Sequence, residues 1–218
     1  MRGIFVTGTD TGIGKTVVSA ALMIAFRSSE DVCYWKPVQT GIEEDNDTET
    51  VRQLASCTDD EVFDHGFRLE RPLSPHLSAR LADVKITIDK IVSFTEEADP
   101  EKFMIVEGAG GILVPLNKYQ LMIDLIETLN LPVLIVARSG LGTINHTVLT
   151  VNALRDRGIE LFGVVTSGEP NEENKKAIEH YGNVRVLAEM PEFEKLDENT
   201  LSRWSGEDSV CRSLRREM

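Results

Sequence analysis

Nine residues at 8–16, GTDTGIGKT, hold the first group whose types and spacing could do chemistry. Glycines let backbone N–H groups face inward onto phosphate oxygens, and a helix opening at the end of such a loop adds its dipole. Lys15 would then reach the outer phosphates of a triphosphate, and the Thr16 hydroxyl would bind Mg²⁺. The common spacing has four residues between the first glycine and the Gly-Lys pair, whereas five separate Gly8 from Gly14. An apolar strand pattern before the loop and a helical pattern after it set the motif apart from a chance glycine-rich turn.

Three further segments end on groups of suitable chemistry. In YWKPVQTG at 34–41, Lys36 closes an apolar run, and strand C-termini in parallel sheets face the ligand crevice. Taken alone, Lys36 reads equally well as a solvated strand-end lysine. In FMIVEGAGG at 103–111, four apolar residues lead to Glu107, and the following glycines allow close backbone approach to a ligand. Magnesium prefers a few carboxylate oxygens together with phosphates and water, which makes Glu107 a candidate ligand; a turn carboxylate is the plainer alternative. In DNDTETVRQLA at 45–55, Asp47 precedes a helical pattern and by itself reads as an N-cap.

Elements able to position these groups follow from the apolar pattern. Strands are expected over 4–7, 32–36, 103–107, 133–137, 161–165 and 184–188, each nearly continuous in apolar residues, as in strands covered on both faces. Between them, Val17, Ala21 and Ile24, and again Ile144, Val148, Val151 and Leu154, recur at helical steps. Alternating strands and helices predict an α/β fold with a doubly wound, mostly parallel sheet flanked by helices. Segment 42–50 reads as an acidic loop or helix start, and the stretch after Pro191 as a loop and a terminal surface helix. Without internal repeats or a Pro/Gly/Ser-rich linker, residues 1–218 read as one domain.

The composition excludes several classes. Thirty-six acidic against 23 basic residues give a net charge of −13, which repels nucleic acid and anionic membranes; Arg212, Arg215 and Arg216 are too few to reverse it and stand beside Glu217. Cys33, Cys57 and Cys211 are far apart, with no zinc or disulfide framework spacing, and fit a reducing cytoplasm. The N-terminus carries no signal-peptide pattern, and the longest apolar run, 131–137, is far too short to span a bilayer.

In order, the motifs GTDT-x-x-GKT, KP-x-x-TG, SPH within LSPHLSARLA at 73–82, VEGAGG, LG-x-INH within LGTINHTVLTVNAL at 141–154, and AEMP at 188–191 resemble the dethiobiotin synthetase family over residues 3–192. The resemblance implies a three-layer fold of the P-loop NTPase kind. It also implies ATP as co-substrate, Mg²⁺ as cofactor, and conversion of 7,8-diaminononanoate and CO₂ to dethiobiotin by a homodimer. It implies that Lys15, Lys36 and Thr11 are catalytic and that Thr16, Asp47 and Glu107 ligate magnesium. Nucleotide binding falls to Gly12, Ile13, Gly14, Lys15, Thr16, Glu107, Gly108, Gly110, Ser167 and Pro191. Thr40 binds the substrate near its carbamate, and Gly142 to Asn145 receive the substrate carboxylate from the other subunit.

Two positions depart from the family pattern. Gly12 stands where many relatives have an acidic residue, and Ser167 where relatives often have the asparagine that reads adenine. The histidines are scattered, and His146 reads as structural.

Other readings fit less well. A nucleotide-switched ATPase acting on partner proteins or DNA would carry a lysine early in the loop, where Thr9 and Asp10 stand, and an aspartate in place of Glu107. A cobyrinate-type amide synthase needs an added glutaminase domain. A small-molecule kinase needs an arginine-rich lid, for which Arg68, Arg71 and Arg80 are a thin set.

Overall fold

The computed structural model describes residues 1–207; Cys211, Arg212, Arg215 and Arg216 lie outside the described residues. The chain runs β1 (Arg2–Gly8), α1 (Lys15–Phe26), β2 (Val32–Trp35), β3 (Val38–Thr40), α2 (Asp47–Leu54), β4 (Val62–Phe63), β5 (Phe67–Leu69), α3 (Pro75–Leu81) and α4 (Ile88–Phe94). It continues through β6 (Phe103–Gly111), α5 (Met122–Leu129), β7 (Val133–Arg138), α6 (Thr143–Asp156), β8 (Leu161–Ser167), α7 (Glu172–Gly182), β9 (Val186–Met190) and α8 (Glu198–Glu207).

Seven strands form one parallel sheet in the order β4-β2-β6-β1-β7-β8-β9. Successive side chains along a strand point to opposite faces. Ile4, Val6, Tyr34 and Ile105 therefore enter one apolar cluster with Val18, Leu22, Val51, Leu201 and Trp204 of α1, α2 and α8. Phe5, Trp35, Met104 and Val106 enter the other, with Ile91, Ile123, Val151 and Ile178 of α4 to α7. Both faces are covered, which is why the strands read as continuous apolar runs.

The chain leaves β1 towards one edge of the sheet and reaches β7, on the far side of β1, only after β6. This reversal is where such sheets bind ligands, at the C-terminal strand ends. Lys15 opens α1 after the loop that follows β1, Lys36 stands just past the end of β2, and Glu107 lies within β6 beside them.

The structure corrects several boundaries. β2 stops at Trp35, so Lys36 follows the strand; β6 and β8 run on to Gly111 and Ser167; the last strand lies two residues later than 184–188. Asp47 is the first residue of α2, and Asn46 is its N-cap, accepting from the Glu49 backbone N–H at 3.2 Å. The capping is done one residue earlier, which leaves the Asp47 carboxylate free for tertiary contacts. The small parallel pair β3–β5 was not expected, because three-residue strands are too short to show a period.

Candidate active site

Helix α1 begins on Gly14, whose φ of 91° suits glycine, with no side-chain cap and no acidic residue in its first turn. Its leading N–H groups are thus left for a ligand. A Cβ on Gly14 would come within 2.9 Å of Ser167 Oγ and 2.8 Å of Met190 Cε, so the loop lies directly against the ends of β8 and β9. Asp10 fastens the loop from outside: its carboxylate accepts from the Thr11 N–H at 2.8 Å and from Arg138 at the end of β7. Lys15 Nζ donates to the Asp10 carbonyl at 3.0 Å.

Above the loop the charged groups converge. Lys36 Nζ lies 2.6 Å from Glu107 Oε1 and 2.6 Å from Asp47 Oδ2, and 3.2 Å from the Gly108 carbonyl. Thr16 Oγ1 is 2.7 Å from Asp47 Oδ1 and 3.0 Å from Glu107 Oε1. Tyr34 donates to the second Glu107 oxygen at 3.0 Å. Lys36 is 3% exposed and Glu107 is fully buried.

Electrostatics separates the two lysines. Burial, then the neighbouring Lys36 charge, pushes Lys15 down to about 8. Burial also works against the Lys36 charge, but the Glu107 and Asp47 carboxylates overcome it and hold Lys36 above its ordinary value. Burial opposes the Asp47 charge as well, and Lys36 outweighs it, keeping that carboxyl below its ordinary value. Lys36 is therefore a fixed positive charge at neutral pH, suited to stabilising anions rather than to accepting protons.

The donor set suits magnesium. Thr16 has one hydroxyl proton for two carboxylate oxygens, both within hydrogen-bonding distance, so one oxygen is always under-satisfied by it. Three hard oxygen donors meet there. Among the described residues no cluster of three or more His, Cys, Asp or Glu could hold a metal by itself. A magnesium ion arriving with phosphates and water needs no more than this partial set.

One cavity of about 550 Å³ is lined by Thr11, Gly12, Ile13, Gly14, Lys15, Thr16, Lys36, Thr40, Asp47, Glu107 and Gly110, all expected from the sequence. Its remaining wall includes Glu44, Asp45 and the 72–75 segment. A second hollow, also lined by Gly12 and Gly14, brings Ser167 and Pro191 together with Arg138, Phe193 and Leu196. Gly108, also expected at the nucleotide, lines neither hollow; its carbonyl accepts from Lys36. Gly142 and Asn145, at the start of α6, line neither hollow in this single chain, and the adjoining Leu141 is completely exposed.

The sequence reading missed three residues. Tyr34 is one. Gln39, 1% exposed, donates to Asp45 O at 3.3 Å and Asn46 Oδ1 at 3.2 Å and accepts from the Thr48 hydroxyl at 3.2 Å, fixing the turn that carries Asp47. Arg68, considered only as a lid residue, instead donates to the Lys36 carbonyl at 2.8 Å and pairs with Asp64. Strand alternation offered a signal for Tyr34, since it shares a face with Lys36 two residues on.

Comparison with known proteins gives the family. A family model described as an AAA domain matches residues 2–200. An ATP-dependent dethiobiotin synthetase from Paramagnetospirillum magneticum is 50% identical over 190 residues, covering 87% of this chain and 88% of that protein. One from Brucella ovis is 44% identical over 198 residues, covering 91% and 90%. A biotin biosynthesis bifunctional protein from Bordetella avium is 45% identical over 214 residues, and the chain spans 44% of its length.

Among solved structures, a ParA family ATPase from Chlorobium tepidum aligns with a TM-score of 0.60 at 9% identity, covering 94% of this chain and 97% of that one. The MinC:MinD cell division complex from Aquifex aeolicus aligns at 0.62 and 13% identity, covering 100% and 96%. Those two share the P-loop fold alone. With identity of this level along nearly its whole length, the chain belongs to the ATP-dependent dethiobiotin synthetases, ligases of biotin biosynthesis.

Proposed function

We propose that the protein, working as one domain in the cytoplasm and as a homodimer, converts 7,8-diaminononanoate, CO₂ and Mg-ATP to dethiobiotin, ADP and phosphate. The observation that carries the reading is Lys36, a buried cation held charged by Asp47 and Glu107 in the same cavity as Lys15 and the phosphate loop. One amine adds to CO₂ and loses a proton, giving a carbamate. A carbamate oxygen takes the γ-phosphoryl group as the bond to the ADP oxygen breaks. The second amine then attacks the carbamoyl carbon, phosphate leaves with the C–O electrons, the amine gives up a proton to water, and a cyclic urea remains.

These steps call for positioning and charge rather than a nucleophilic side chain. Lys15, Thr11 and the N–H groups of 12–16 hold the phosphates, with Gly110 leaving room beside them and the Gly108 carbonyl accepting from Lys36. Lys36 draws the carbamate anion towards the phosphoryl group, and Thr40, lining the same cavity, fixes its far oxygen. Magnesium, held by Thr16, Asp47 and Glu107, would supply neutralising charge at the phosphates. Ser167 and Pro191 border the base. Gly142 to Asn145 of a second copy offer a helix N-terminus to the distant substrate carboxylate.

Incubation with the diamine, bicarbonate and Mg-ATP is expected to give a cyclic urea by mass spectrometry, one phosphate per ring, and no urea without bicarbonate. Asn145→Ala should weaken diamine binding more than ATP binding. ATP hydrolysis without urea sinks the reaction; an active monomer sinks the shared site.

Nucleotide choice is the second expectation. A well-made polar contact to the base is worth about 1–3 kcal/mol, and Ser167 is too short to read adenine as an asparagine would. CTP or GTP should therefore support turnover within about a hundredfold of ATP, as follows from losing one such contact. Competing triphosphates more than about a thousandfold poorer, beyond what one contact supplies, would show that other groups read the base.

A further inference from the structure

Glu107 receives three donors, and they differ in what a ligand does to them. Lys36 and Thr16 both meet Oε1, on the cavity side, and both line the cavity themselves. Among the described residues Tyr34 alone meets Oε2, and it does not line the cavity. β2 and β6 are paired in parallel with Tyr34 opposite Ile105, so the phenol stands on the same sheet face as Glu107, two residues further along. Its ring is fully buried in the apolar cluster of Ile105 and Leu22, and among the described residues no other hydrogen bond leads away from its hydroxyl.

We propose that Tyr34 is a positioning residue for magnesium: by holding Oε2 of Glu107 from inside the sheet, it keeps Oε1 turned into the cavity. The proposal rests on the reading of Glu107 as a magnesium ligand. When nucleotide enters, the Thr16 hydroxyl and the Lys36 ammonium have phosphate or carbamate oxygens to turn to. The Tyr34 hydroxyl has none within reach, so it remains the fixed donor. Glu107 is followed at once by Gly108 and three residues later by Gly110, neither of which has a side chain to hold its carboxylate. Partners behind a metal ligand commonly alter metal affinity by about 10–100-fold.

The test is Tyr34→Phe, which deletes the hydroxyl and keeps the ring, measured by calorimetry of ADP binding across a magnesium chloride titration. No diamine is needed, so the result is independent of the carboxylation chemistry. The magnesium concentration for half-maximal enhancement of ADP binding should rise about tenfold or more. ADP binding in EDTA should be unchanged. In a Glu107→Gln background the same substitution should add no further loss, since both changes remove one interaction.

A magnesium requirement within about twofold of the unmodified protein, below the range for such partners, overturns the proposal. So does an equal loss of ADP affinity with and without magnesium, which would mark the hydroxyl as packing alone. An unmodified protein whose ADP binding ignores magnesium overturns the Glu107 reading itself.

Discussion

Lys36→Ala should lose both turnover and stability, and the two losses have one origin. Lys36 is the cation between two carboxylates, 2.6 Å from each, with Glu107 fully buried. Removing it takes away a preorganised charge at the developing anion, a change that commonly costs about 10²–10³ in rate. It also leaves Asp47 and Glu107 facing each other, bridged only by the Thr16 hydroxyl. Breaking a buried pair on one side typically costs about 3–5 kcal/mol, because the remaining charge is stranded.

Thermal melting should therefore fall well below that of the unmodified protein, and added magnesium should recover part of the loss by binding where the ammonium was. Lys36→Arg should not rescue turnover, since a planar guanidinium fork does not reproduce the compact ammonium that meets both carboxylates at 2.6 Å. Steady-state turnover at saturating Mg-ATP and diamine, with melting curves across a magnesium series, checks both halves. A Lys36→Ala protein with normal melting and near-normal turnover would refute the central role given to this residue.

The contrast between what was readable in the sequence and what was not has a simple physical basis. The phosphate loop, Lys36 and Glu107 were legible because each is marked by its own element: a glycine pattern, or a polar residue closing an apolar run. The parallel sheet was legible because burial on both faces leaves no alternation. Asp47 was ambiguous, since an aspartate beside a helix start caps far more often than it ligates; the neighbouring Asn46 takes the cap.

Tyr34 and Gln39 were harder to read for another reason, although strand alternation puts Tyr34 on the face of Lys36. In an apolar run, Tyr34 looks like core, and its partner Glu107 lies 73 residues away. Gln39 matters only because the chain folds back so that residues 45–48 meet its amide. Local spacing cannot report contacts created by sheet order. Gly142 and Asn145 are the opposite case, conspicuous as a motif yet outside both hollows of a single chain.

Lys15→Met should abolish most turnover while leaving the empty protein at least as resistant to heat. Methionine keeps an apolar stem in the 6% exposed slot and removes only the ammonium. Among the described residues that ammonium has a single hydrogen-bonding partner, the Asp10 carbonyl, and burial together with Lys36 holds it down to about 8. A lysine whose folded value lies below its ordinary 10.5 is disfavoured in its charged form by folding, so at neutral pH the fold carries a cost that methionine avoids. The charge becomes useful only when phosphate oxygens arrive, which is the mark of a group kept for the reaction and not for the fold. Turnover should fall by about 10²–10³, the usual consequence of losing one preorganised charge contact. The stabilisation that ADP gives to the melting temperature should shrink in parallel. A Lys15→Met protein that melts many degrees lower without nucleotide, or that turns over near the unmodified rate, would show that this lysine serves the fold instead.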